Sequence, residues 1–282
     1  MASSEISTTS PIIELIHADY RMQIAPDAGG SVLSFSHLGT DILRPASHYK
    51  NIRDDPRNTA CYPCVPWFGR INQDFLYGNQ SHTITPTLPV ADHENPLHGY
   101  GWISPWHISE QSNHTILLEL NYAPQPKQFP FPFLTTQKIT LTDKGATITL
   151  MMSNTGKTPM PAGLGLHPFF NRTPNHYISF EANHVSGADA NSLSATAYGA
   201  PAKLPAQHID HSYSGFGGVA EITDGLRRIH IKSDASILHL YAPVEERFFC
   251  LEPITHLPGE LGSTILAPGE QTSLSLRIGV IS

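Results

Sequence analysis

Charged side chains are scarce in this chain. They account for 15% of its 282 residues, against roughly 25% in an ordinary soluble domain. The 17 basic residues are outnumbered by 24 acidic ones, which gives a formal net charge of −7. A nucleic-acid backbone requires a basic face on the protein that binds it. The charge balance therefore argues against nucleic acid as a partner.

Cysteine is scarcer still, with only Cys61, Cys64 and Cys250 in the whole chain. Three cysteines cannot form a disulfide framework. Cys61 and Cys64 have the spacing of a redox motif or of half a zinc site, but zinc would require two further ligands in a second pair. Thioredoxin-like chemistry requires a strand-to-helix junction, which this proline-containing stretch does not offer. We therefore predict reduced thiols, no metal site and a cytoplasmic location.

Long apolar runs and a basic leader are also missing. No run approaches the 18 or so residues that span a bilayer, so we predict no membrane partner. The N-terminus lacks the basic and apolar regions of a secretory signal. No segment has the composition of a linker, so we predict one domain over residues 1–282, with residues 1–10 as a flexible tail.

Proline is the residue type in excess. The chain has 24 prolines spread along its whole length, and each would cost a helix interior about 3 kcal/mol. This excludes a helix bundle and disfavours a doubly wound α/β fold with its long crossover helices.

Alternating apolar and polar residues predict many strands instead. Residues 20–24 alternate, and residues 133–153 have the pattern of a hairpin around the loop 143–145. Alternation returns at residues 229–240 and 273–278. Strands separated by glycine and proline turns predict an all-β fold, either a large antiparallel sandwich or a barrel.

Side-chain parity within two of these strands points to a site. Gly163 and Gly165 share a face with His167, and we expect the bare backbone there to let a ligand approach. Glu252 lies on the same side as Phe248 and Cys250, an enclosed setting that raises a carboxyl pKa and suits a general base. By the same parity, Ile237, His239 and Tyr241 share one face of their strand.

Two segments resemble known motifs but do not match them. His93 and His98 are one residue too far apart for a zinc-binding helix, and Pro96 interrupts them. Gly156 and Lys157 resemble the end of a phosphate-binding loop, but Met151 occupies the position of its first glycine.

Seven short segments stand in a recognisable order. They are residues 29–35 (GGSVLSF), 68–71 (FGRI), 97–99 (LHG), 165–171 (GLHPFFN), 209–211 (IDH), 249–253 (FCLEP) and 268–270 (PGE). In order and spacing they resemble the aldose 1-epimerase (galactose mutarotase) family over nearly the whole chain. The His-Pro-Phe-Phe motif is similar to that of a bacterial-type branch.

The resemblance implies a large antiparallel β sandwich of the galactose mutarotase type, called a supersandwich. It also implies an isomerase that interconverts the α and β anomers of an aldose without a cofactor, as a monomer or homodimer. The family's catalytic base falls on Glu252 and its catalytic acid on His167. Its sugar-binding residues fall on Arg70, His98 and Asp210.

Two positions depart from the galactose-type pattern. Gly69 occupies the place of an asparagine, and His239 occupies a place that is often glutamine. Both places concern hydroxyl recognition in the family. We therefore expect His239 to contact the sugar and leave the identity of the aldose open.

Three other functions are alternatives to that of a mutarotase. An epimerase of hexose 6-phosphates would require extra basic side chains near the cleft, for which Arg172 is the obvious candidate. A non-catalytic sugar-binding protein would not require both Glu252 and His167. A glycosidase normally uses two carboxylates, whereas here the expected acid is a histidine.

Overall fold

The structure of the chain is a computed structural model. The structure describes residues 11–46, 52–173, 175–186, 201–204, 207–223 and 227–281. The expected flexible tail, residues 1–10, lies outside these ranges.

The described part of the chain is nearly all β, as the alternation predicts, with two short 3-10 helices at Pro56–Asn58 and Gly101–Ile103. The strands are β1 (Ile13–His17), β2 (Tyr20–Ala25), β3 (Ser31–His37), β4 (Thr40–Asp41), β5 (Cys61–Cys64), β6 (Asp74–Tyr77), β7 (Gln80–Thr83), β8 (His107–Gln111), β9 (Thr115–Tyr122), β10 (Phe133–Thr142), β11 (Gly145–Asn154), β12 (Met160–Ala162), β13 (Gly165–Asn171), β14 (Tyr177–Phe180), β15 (His184–Ser186), β16 (Ala202–Lys203), β17 (Ile209–Ser214), β18 (Val219–Thr223), β19 (Arg228–Ser233), β20 (Ile237–Ala242), β21 (Phe248–Ile254), β22 (Thr264–Leu266) and β23 (Gln271–Ile281). Within these same ranges, no helix has the length and apolar character that a bilayer span requires.

Two large antiparallel sheets form the sandwich. The first has the strand order β1-β2-β3-β5-β13-β21-β20-β17-β15, with β4 added at β3. The second has the order β16-β14-β18-β19-β23-β11-β10-β9-β8. The predicted hairpin is confirmed as β10 and β11, whose register runs from Phe133 opposite Asn154 to Thr142 opposite Gly145.

The two larger clusters of buried apolar side chains lie one on each face of the first sheet. Phe249 and Leu251 point into the large cluster that also contains Ile139 and Ile148 of the second sheet. Cys250 and Phe169 belong to a smaller cluster on the other face. Because side chains alternate along a strand, the same strands that close the main core also present a second face, and this face carries the site.

Candidate active site

Five side chains form a row across the middle of the first sheet. Tyr62 pairs in register with His167, His239 pairs with Glu252, and Ser212 pairs with His239. The ladder between β13 and β21 is in register on both sides of His167 and Glu252, which sets those two residues opposite each other. Neighbouring strands are about 4.8 Å apart, so the sheet itself brings these groups within reach of one another.

A cleft of about 660 Å³ opens above this row. All six of the site residues expected from the sequence line it: Arg70, His98, His167, Asp210, His239 and Glu252. Residues far apart in the chain therefore meet on one concave surface.

His167 and Glu252 form the centre of the cleft floor. Nε2 of His167 lies 3.3 Å from Oε2 of Glu252, and the two side chains are 9% and 1% exposed. The contact lacks hydrogen-bond alignment, and within the described residues neither carboxylate oxygen of Glu252 has a hydrogen-bond partner. Burial, followed by the charge of Asp210, raises the pKa of Glu252 well above its usual range. Burial and the neighbouring His98 lower the pKa of His167 well below its usual range.

These opposite shifts change one sequence-based expectation. A base at Glu252 implies a carboxylate and an acid at His167 implies an imidazolium, whereas burial favours the uncharged form of both. The two descriptions contain the same number of protons, because either one leaves a single proton on the pair. They differ only in which residue holds it.

Aromatic rings fix the orientation of His167. Its ring lies 4.5 Å from that of Tyr62 and 4.6 Å from that of Phe169, measured between ring centroids. Phe169 stacks on the imidazole and Tyr62 lies tilted against it, and these two contacts restrict rotation of the ring.

His98 enters the cleft from a loop. Its Nδ1 accepts a hydrogen bond from the Gly69 amide at 3.1 Å, so the proton of its neutral ring is on Nε2. Burial, with a smaller contribution from Arg70, lowers the pKa of His98 to about 3. His98 is therefore a neutral donor at Nε2 rather than a cation.

Arg70 lies at the rim, where its Nε donates a hydrogen bond of 2.6 Å to Oδ2 of Asp92. The Arg70 side chain is 57% exposed, whereas that of Asp92 is mostly covered. Asp92 also accepts hydrogen bonds from the Glu94 and Asn95 amides. These contacts hold the pKa of Asp92 below its usual range and tie Arg70 to a turn.

His239 lies between two partners. Its Nε2 is 3.0 Å from Oδ1 of Asp210, and its Nδ1 is 2.8 Å from Oγ of Ser212. The hydrogen bond from His239 holds the pKa of Asp210 below its usual range. Direct contact between His239 and a sugar is a prediction that no observation here tests.

The role expected of two glycines is wrong. A Cβ on Gly165 would lie 2.7 Å from the Phe68 ring, and one on Gly163 would lie 2.1 Å from the His256 ring. These glycines therefore make room for protein side chains and not for a ligand. Nε2 of His256 in turn accepts the Phe68 amide hydrogen bond at 3.0 Å, which anchors the loop that carries Gly69 and Arg70.

The surroundings of Gly69 leave no room for a side chain. Its φ is +70°, and an added Cβ would lie 2.9 Å from Cβ of Pro258. A side chain at this position would meet both a left-handed backbone and a proline wall. The cleft thus offers only backbone here.

We expect Gly69→Ala to lower the free energy of unfolding by more than the roughly 1 to 2 kcal/mol of left-handed strain alone. Gly78→Ala is the matched control, because Gly78 has φ +59° and open space around its Cβ position. Urea unfolding of both variants measures the difference. Equal losses would show that Pro258 does not restrict the position.

The cysteines are free and buried in this structure. His167, Cys250 and Glu252 form the one group of three potential metal-ligating atoms found in the described residues, all within 4.8 Å of one another. Two of these three residues, His167 and Glu252, also form the 3.3 Å pair on the cleft floor.

Sequence reasoning missed several supporting residues. Tyr62 and Phe169 contact His167, Asp92 holds Arg70, and Ser212 holds His239. Ser212 could have been found, because it lies two residues after Asp210 and so shares its face of the strand. Asp92 is in a turn without alternation, so no local signal identifies it.

The amino-acid sequence matches that of a known protein family. Residues 11–279 match the sequence profile described as aldose 1-epimerase. The chain belongs to the aldose 1-epimerase family.

Individual relatives in and around the aldose 1-epimerase family are distant. The uncharacterized protein YphB of Escherichia coli strain K12 is 26% identical, with 95% of this chain and 98% of YphB covered. A crystal structure from E. coli K12, assigned provisionally as an aldose 1-epimerase, has a TM-score of 0.84 at 24% identity and covers 96% of this chain and 99% of that one. The galactose 1-epimerase of Lactobacillus acidophilus NCFM has a TM-score of 0.78 at 13% identity, with 98% and 96% covered. At these identities the two structures establish the shared fold.

Proposed function

We propose that this protein is a mutarotase, an isomerase that interconverts the α and β anomers of an aldose by opening and reclosing the sugar ring. The observation that carries the proposal is the buried pair of His167 and Glu252 on the floor of an accessible cleft, 3.3 Å apart. Family membership supports the same reaction class.

Anomer exchange sets a simple proton requirement. To open the ring, a base takes the proton of the C1 hydroxyl while an acid gives one to the ring oxygen. The C1–C2 bond then rotates, and closure reverses both transfers. The protein must therefore hold one transferable proton throughout, which matches a pair that carries one proton in either of its two arrangements.

In our proposal Glu252 is the base and His167 the acid. Because burial favours the proton on Glu252, that proton must first pass to His167, whose Nε2 lies 3.3 Å from Oε2 of Glu252. Glu252 then accepts the C1 proton and His167 protonates the ring oxygen. Each such positioned transfer typically contributes 10² to 10⁴-fold to the rate.

The remaining cleft residues orient the sugar. Nε2–H of His98 is a neutral donor, suited to a ring or hydroxyl oxygen. Arg70 is a donor and Asp210 an acceptor at the rim. Fixing the sugar relative to the acid and base supplies the orientation on which such reactions depend.

Polarimetry with freshly dissolved α-anomers tests the proposal. The full chain should accelerate the decay of optical rotation for at least one sugar in a panel of hexoses, pentoses and deoxy sugars. A panel in which every sugar relaxes at its uncatalysed rate would exclude the function.

We propose that the substrate is an uncharged sugar and not a sugar phosphate, because the three arginines that line the cleft among the described residues already have acceptors within the protein. Nη2 of Arg44 donates to the carbonyls of Arg57 and Thr59, Arg57 pairs with Asp55, and Arg70 pairs with Asp92. Arg172, the residue expected to favour a phosphate, is not among the residues that line the cleft in the described part and donates to the Pro243 carbonyl. Glucose 6-phosphate, included in the panel, should show no higher kcat/KM than glucose.

We expect kcat/KM to remain high to a pH below about 6.5, the ordinary histidine value. A second proton on the pair would go to His167. Because the pKa of His167 is lowered, the acidic limb of the kcat/KM profile should lie at a lower pH. On the alkaline side, activity falls when the pair loses its last proton, and the raised pKa of Glu252 places that limb above the ordinary glutamate range. A pH profile of kcat/KM measures both limbs. An acidic midpoint at or above 6.5 would contradict the shift.

A further inference from the structure

Ser212, His239 and Asp210 form a hydrogen-bonded chain that the proton-transfer mechanism does not use. Asp210 and Ser212 are both on β17 and share one face of it, and His239 is opposite Ser212 on β20. Both ring nitrogens of His239 are within hydrogen-bond distance of these two neighbours.

His239 has no nitrogen left for a ligand. Its side chain is 8% exposed, and its ring packs edge-on against Phe68, with 5.3 Å between centroids. A sugar hydroxyl could bond to the ring only by displacing Asp210 or Ser212. Ser212 is buried, so displacing it would leave its hydroxyl unsatisfied. Displacing Asp210 would exchange a charge-assisted hydrogen bond for a weaker neutral one.

Asp210 is the exposed end of this hydrogen-bonded series of three residues. Its side chain is 52% exposed and lines the cleft. Oδ1 is taken by His239, while Oδ2 has no protein partner among the described residues. A carboxylate whose one oxygen is hydrogen-bonded within the protein can accept a further hydrogen bond in one direction only, through its other oxygen. Hydrogen bonds to charged groups are stronger than those between neutral groups.

The three residues differ from a hydrolytic triad in which of them is buried and which is exposed. In a Ser-His-Asp triad the serine meets the substrate and the aspartate is buried. Here Ser212 is 3% exposed and Asp210 faces the cleft. The residue that faces the cleft is therefore a hydrogen-bond acceptor, Asp210, and not a nucleophile.

We propose that His239 is a positioning residue and not a sugar ligand: it holds Oδ1 of Asp210 so that Oδ2 receives one particular hydroxyl of the sugar. The inference rests on the proposed mutarotase function and adds to it the source of hydroxyl selectivity. Ser212 completes the arrangement by fixing the second nitrogen, since its hydroxyl can donate to a neutral ring or accept from a charged one.

The test compares the best sugar of the panel with its monodeoxy analogues. His239→Leu should raise KM for the parent sugar roughly 10- to 100-fold, the loss expected of a hydrogen bond to a charged group, and change kcat much less. For the one analogue that lacks the hydroxyl bound by Asp210, His239→Leu should cause little further increase in KM. Asp210→Ala should behave alike, the double variant should be no worse than either single one, and His239→Gln should recover part of the loss.

Three results would overturn the proposal. An equal penalty on every analogue would indicate a merely structural role for His239. Additive penalties in the double variant would show that His239 and Asp210 act independently. Sensitivity to different hydroxyls in the two single variants would make His239 a sugar ligand itself.

A second measurement separates this proposal from the proposed function. Nitrogen-15 NMR of the imidazoles should show a protected Nε2–H of His239 in the parent protein that exchanges faster in Asp210→Ala. This result is expected even if no sugar is epimerised. An unprotected Nε2–H in the parent protein would remove the geometry on which the proposal rests.

Discussion

Glu252→Gln is expected to reduce kcat by 10² to 10⁴-fold, the range typical of removing a general base. Glutamine keeps the shape of the side chain and cannot accept the C1 proton. Sugar binding should persist, because Glu252 acts on the proton and not on the orientation of the ring. Polarimetry under saturating sugar measures the loss.

Stability provides the control for this variant. Burial raises the pKa of Glu252, so ionisation of Glu252 weakens the folded state as pH rises above the ordinary glutamate value of about 4.3. Glutamine carries no charge, and the variant should be at least as stable as the parent at pH 7. Glu119→Gln, on β9 of the other sheet, is the matched substitution away from the cleft and should retain full activity. Full activity in Glu252→Gln would remove Glu252 from the mechanism.

His167→Asn is expected to produce a loss of the same order, 10² to 10⁴-fold in kcat. Asparagine removes the group that delivers a proton to the ring oxygen. The reduction should appear with every sugar of the panel, because the proton transfer is common to all of them.

Loss of the imidazole also removes a ring that contacts both Tyr62 and Phe169, so folding must be separated from chemistry. His167→Phe keeps an aromatic ring in that place and lacks a transferable proton. Both variants should be inactive, and the phenylalanine variant should unfold at a higher temperature than the asparagine variant. Activity in a folded His167→Phe would mean that another group is the acid.

The fold was largely readable from the sequence because its signals are local. Period-two alternation at residues 133–153 and 273–278 marks strands directly, and the loop at Gly145 marks the hairpin. The order of strands in the sheets was not readable, since β13 pairs with β5 and β21, and no local pattern encodes such distant partners.

The candidate site divides in the same way. Glu252 and His167 stand in strands whose parity is visible, and their enclosed neighbours are adjacent in sequence. The roles of Gly163 and Gly165 were misread, because Phe68 and His256 come from loops and fill the space by tertiary packing. The proton arrangement of the pair was also beyond the sequence, since it depends on burial from several strands at once.

Two-dimensional exchange NMR on an equilibrated sugar tests the central claim most directly, because cross-peaks between the α and β C1 protons report anomer exchange itself. With the best sugar of the panel, the parent protein should produce strong cross-peaks, and Glu252→Gln and His167→Asn at equal concentration should leave them near the protein-free level. Cross-peaks of equal strength in all three samples would contradict the account, as would their absence with every sugar.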